Sequence, residues 1–70
     1  MLYAIDQAFH TLLDKIDEDR YWMVTFACRL ATGYVIELHN TKTGQDEEKF
    51  TATFGEMEYF VNELLRRKIA

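Results

Sequence analysis

Seventy residues with a formal net charge of −4 make one domain, near the lower size at which a chain folds without staples. Almost half of those residues are apolar and 14% are aromatic, which excludes a disordered chain. The acidic balance argues against a sequence-independent nucleic-acid binder, which needs lysines and arginines to displace counterions.

Leu2, Ile5, Phe9, Leu12 and Ile16 recur in steps of three and four, and Ala8 and Leu13 widen the stripe; this spacing predicts an amphipathic first helix. Asp6, His10, Asp14 and Lys15 fall off the stripe. Asp17, Glu18 and Asp19 come next, where the helix dipole disfavours negative charge, so they are expected to terminate the helix. From Trp22 the period changes to two. Trp22, Val24, Phe26, Cys28 and Leu30 are apolar, as are Tyr34, Ile36 and Leu38, and then Phe50, Ala52 and Phe54. That alternation predicts three strands sharing one buried face, over about 21–30, 34–40 and 47–53. Ala31, Thr32 and Gly33 read as a three-residue hairpin loop with Gly33 in the left-handed conformation, and 41–45 as a second turn around Gly44. A register with Glu37 opposite Lys49 would add a cross-strand ion pair.

The second helix has the clearest start signal. Thr53-Phe54-Gly55-Glu56 matches a capping box. Met57, Phe60, Val61, Leu64, Leu65 and Ile69 form the buried stripe, and Glu56, Glu58, Arg66, Arg67 and Lys68 are distributed in accord with the helix dipole. The expected fold is therefore α+β, in the order α-β-β-β-α: a three-stranded antiparallel meander with two helices packed on one face, as a single domain over 1–70. This element order resembles that of the double-stranded-RNA-binding domain. The resemblance covers the whole chain at the level of topology and implies a fold. In that family the second helix opens with a lysine-rich motif that grips phosphates; here the matching position reads Gly55-Glu56-Met57-Glu58, whose carboxylates would repel a nucleic-acid backbone.

Residues with chemical potential are few. The sequence has no serine, and Cys28 is its only cysteine, so neither a serine nucleophile, an internal disulfide nor a cysteine-based metal cluster is expected. Cys28 falls on the inward stripe, where a thiol acts as a small hydrophobe. His10 and His39 lie far apart in sequence, unlike the short spacings of metal ligands, and three scattered glycines do not make a phosphate-binding loop. No metal, cofactor or small-molecule substrate is expected. Met1 leads into the first helix without a signal-peptide pattern and no stretch has the length of a membrane span, so a cytoplasmic location is expected.

Two surfaces remain. The outward positions Tyr21, Met23, Ala27, Arg29, Val35, Glu37 and His39 form a half-apolar face suited to self-association or a protein partner. The triplets Asp17, Glu18, Asp19 and Asp46, Glu47, Glu48 would meet at one end of the sheet as an acidic rim, unless Arg66, Arg67 and Lys68 neutralise it. The first surface implies a non-catalytic protein-interaction module, homodimeric or bound to a larger partner. The second implies an acidic inhibitor that mimics nucleic acid in a partner's basic groove. A carboxylate-dependent hydrolase ranks last, because no convergent pair of acids occupies an inward position.

Overall fold

The computed structural model describes residues 6–67. Leu2, Ile5, Lys68 and Ile69 lie outside that range. The elements run α1 (Gln7–Asp19), β1 (Trp22–Leu30), β2 (Gly33–Asn40), β3 (Asp46–Thr51) and α2 (Phe54–Arg67), as the α+β expectation requires. The strands form one antiparallel sheet in the order β1-β2-β3.

Within the described residues α1 starts at Gln7. Asp6 is extended, and its carboxylate accepts the Phe9 N–H at 2.8 Å, which makes it the N-cap. The helix also runs through Asp17, Glu18 and Asp19 instead of stopping before them. Two contacts offset the unfavourable charge. Arg20 takes a left-handed conformation (φ 67°) and donates its N–H to the Asp17 carbonyl, closing the helix. The Asp17 carboxylate accepts the Val24 N–H of β1 at 3.3 Å. Thr41 then fastens the α1–β1 junction to the β2–β3 turn, donating its N–H to Tyr21 O at 2.9 Å and its hydroxyl to Arg20 O at 2.8 Å.

α2 starts as its sequence predicts. Thr53 Oγ1 accepts the Glu56 N–H, and the Glu56 carboxylate accepts the N–H groups of Thr53 and Ala52. Both helices direct their apolar stripes at the same side of the sheet. Phe9, Leu12, Leu13 and Ile16 of α1 meet Trp22, Ala27, Ile36 and Leu38 of the sheet and Met57, Val61 and Leu64 of α2 in one buried cluster.

The inward set of β1 differs from the even-numbered stripe. Trp22 and Val24 stand opposite Asn40 and Leu38, but the register then shifts, so that Ala27 stands opposite Ile36 and Arg29 opposite Tyr34. Thr25 is the extra residue of a β-bulge, and its hydroxyl donates to Glu37 O at 3.1 Å. Beyond it the odd positions face the helices, while Phe26, Cys28 and Leu30 face outward. β3 departs in the same sense. Its inward residues are Glu47, Lys49 and Thr51, opposite Leu38, Ile36 and Tyr34, so Phe50 points outward beside Val35. The expected Glu37–Lys49 pair does not form, because Glu37 stands opposite Glu48; Lys49 instead lies over the Phe60 ring at 5.4 Å.

The β1–β2 loop has two residues, Ala31 and Thr32, since Leu30 pairs with Gly33. Gly33 is needed for proximity more than for turn conformation: a Cβ there would collide with the Thr51 carbonyl oxygen. Gly44 has φ 78° with open space around it. It forms the bulge of the second turn, donating its N–H to Asn40 O while the Asn40 N–H reaches Gln45 O. The two glycines should therefore respond differently to alanine. Gly44→Ala should cost about 1 kcal/mol, the ordinary left-handed penalty. Gly33→Ala must displace a neighbouring backbone and should cost more, about 2–3 kcal/mol. Urea unfolding of both variants checks the order, which reverses if Gly33 is not crowded.

Candidate functional site

Among the described residues the two helices cover only one side of the sheet, and the composition of the other side follows from the bulge. Across the strands, successive outward rows read Leu30–Gly33, Cys28–Val35–Phe50, Phe26–Glu37–Glu48 and Met23–His39–Asp46. The end nearest the β1–β2 loop is thus apolar and the opposite end acidic. Phe26 is 39% exposed, Leu30 43% and Phe50 51%, with Met23 at 47% on the far row; Cys28 and Val35 are partly buried between them.

Of the outward residues expected from sequence, Met23, Val35, Glu37 and His39 are on this face. Ala27 and Arg29 are not. Ala27 is buried in the core. Arg29 lies on the helix side, where its guanidinium sits 5.6 Å above the Tyr34 ring and bonds the Asp6 carboxylate at 3.0 Å, tying β1 to the start of α1. The bulge after Val24 reverses the parity of both. Tyr21 precedes the strand and packs against the core. Sequence reasoning missed Phe26, Leu30 and Phe50 because all three continue an apolar alternation that looks unbroken.

The acidic triplets do not form a single rim. They lie at the same end of the sheet but at opposite edges, about 10 Å apart by strand spacing. Asp17 is engaged with β1, Glu18 is exposed and Asp19 partly buried at the end of α1. Asp46 and Glu48 face outward, whereas Glu47 shares the inner side with Leu38. The carboxylates that gather are Glu37, Asp46, Glu47 and Glu48, around a cavity of about 420 Å³ that Thr25 and Leu38 also line. Arg66 bonds Glu63 at 2.8 Å, and among the described residues no ion pair reaches Glu37 or Glu48.

The remaining chemically able residues are dispersed. His39 Nδ1 lies 2.8 Å from the Asp46 carboxylate, and His10 Nδ1 lies 3.5 Å from that of Asp14. Cys28 faces outward, not inward, and is five residues from Met23, the strand partner of His39, a separation of about 15 Å. Among the described residues no group of histidine, cysteine and carboxylate side chains is arranged to hold a metal ion, and no helix is long and apolar enough to cross a membrane.

No family model, curated protein or solved structure matches the chain. Fold and surface together define its class: a small α+β domain, two helices on one side of a three-stranded meander, whose other side is divided into apolar and acidic halves.

Like charges directly opposed across strands are destabilising, so the Glu37–Glu48 pair weakens the fold. Glu48→Lys should raise stability by about 0.5–1 kcal/mol, read from the urea midpoint. A lowered midpoint would show that the two residues do not face each other.

Proposed function

We infer that this chain is a non-catalytic protein-interaction module that works as a homodimer, its two copies stacked through the uncovered faces of their sheets. The observation that carries this reading is the cluster of Phe26, Leu30 and Phe50, all more than a third exposed on one face, with Cys28 and Val35 between them. A contiguous apolar patch of this kind on a soluble domain marks a surface that another molecule covers. A two-fold arrangement suits it: with the strands of the two copies antiparallel, the apolar halves oppose each other and the acidic halves lie at opposite ends, in water. The whole face is on the order of 450 Å² in projection, from strand length and spacing, and the opposed apolar half about half of that. That is below the usual 800 Å² per partner, so the dimer should dissociate in the micromolar range. Sedimentation equilibrium across micromolar concentrations should give a mass rising from that of one chain towards twice that value. Phe26→Glu, which changes no core residue, should hold the chain as a monomer with an unchanged circular dichroism spectrum. A wild-type chain that stays monomeric at the highest concentration contradicts the proposal.

The opposed carboxylates Glu37 and Glu48, with Asp46 and Glu47 beside them, favour a second reading, in which this acidic half occupies a basic groove that otherwise takes nucleic acid. Binding of that kind weakens steeply with salt.

A further inference from the structure

We propose that the open edge of β3 and the adjoining side of α2 form a groove for an extended strand of a partner protein, one in which basic and apolar side chains alternate. This site shares Phe50 with the dimer face, but it does not depend on the dimer.

The two edges of the sheet are treated differently. β1 is interrupted by the bulge at Thr25, and the Asp17 carboxylate takes its Val24 N–H; both devices discourage strand addition. β3 has neither, and its register with β2 is unbroken from Thr51 to Asp46. The hydrogen bond from Asn40 N–H to Gln45 O sets the phase of that ladder. By antiparallel alternation Glu47, Lys49 and Thr51 turn their backbone groups to β2, so Asp46, Glu48 and Phe50 turn theirs outward. Among the described residues no loop or side chain takes these outward groups. Beside them lies a groove of about 940 Å³ between β3 and α2, lined among others by Thr51, Ala52, Gly55, Tyr59 and Phe60. Tyr59 is 68% exposed there, and the space over Gly55 is open.

A strand added to this edge would obtain affinity from backbone hydrogen bonds and specificity from its alternate side chains. Residues opposite Asp46 and Glu48 would face outward beside carboxylates, which selects lysine or arginine. Residues opposite Glu47, Lys49 and Thr51 would face the groove; Lys49 already lies over Phe60, and the aromatic wall of Tyr59 and Phe60 selects apolar side chains. A second copy of β3 is a poor occupant, because its own Asp46, Glu47 and Glu48 would add three carboxylates to an edge that carries three.

Fluorescence anisotropy on the full-length chain tests this with labelled hexapeptides. The probes are an alternating Lys-Val peptide, the same composition in block order, an alternating Glu-Val peptide, and the Lys-Val peptide N-methylated at alternate amides on the edge that would pair with β3. The Lys-Val peptide should bind at least about tenfold more tightly than each of the other three. Gly55→Trp, which fills open space, and Glu48→Lys should each weaken it by a similar factor, while Phe26→Glu should leave it unchanged and so separates this site from the dimer face. The proposal is overturned if the alternating peptide does not bind, if block order or N-methylation leaves affinity unaltered, or if Gly55→Trp has no effect in a chain with wild-type circular dichroism.

Discussion

Between Val24 and Phe26, β1 carries one residue more than β2 can match, and the parity of every later side chain in the strand is decided there. A β-strand presents alternate residues to opposite faces, so one inserted residue exchanges the two sets. Ala27 enters the core and Arg29 reaches across the helix side to Asp6, while Phe26, Cys28 and Leu30 face the opposite side of the sheet. On the helix side Phe9 and Phe54 meet the Tyr34 ring edge-on at 5.1 and 5.7 Å. The bulge therefore shapes both the core and the apolar patch.

The same local irregularity separates the two edges of the sheet. At β1 the bulge and the Asp17 carboxylate together spoil the row of backbone groups that another strand would need. At β3 the row is regular, and its protection is charge alone: three carboxylates in succession disfavour self-pairing without blocking a basic strand. The proposed dimer thus uses an apolar half-face, whereas the acidic edge disfavours a second copy of itself.

Much of the fold was legible in the sequence because it is encoded locally. The capping box at Thr53 and Glu56 and the three-and-four spacing of Phe9, Leu12 and Ile16 each lie within a few residues, and the structure keeps them. The number and order of strands follow from runs of β-branched and aromatic residues broken at Gly33 and Gly44. The outer face was not legible. Trp22, Val24, Phe26, Cys28 and Leu30 alternate without a fault, so nothing in that stretch announces the extra residue; it is imposed by tertiary packing, with Ala27 and not Phe26 fitting beneath the helices. In β3 a clue was present. Phe54 belongs to the capped helix, so the series Phe50, Ala52, Phe54 could not all lie along one strand, and its parity carried little weight.

The bulge requires Ala27 to face the helices and Phe26 to face away. Side-chain nuclear Overhauser spectroscopy of the Phe26→Glu variant, compared with the wild-type chain, tests this most directly. The Ala27 methyl group should show cross-peaks to core side chains of α1 or α2 in both proteins, and the Phe26 ring should show none to either helix. Cross-peaks from the Phe26 ring to Phe9, Ile16 or Leu64, with the Ala27 methyl group silent, would contradict it.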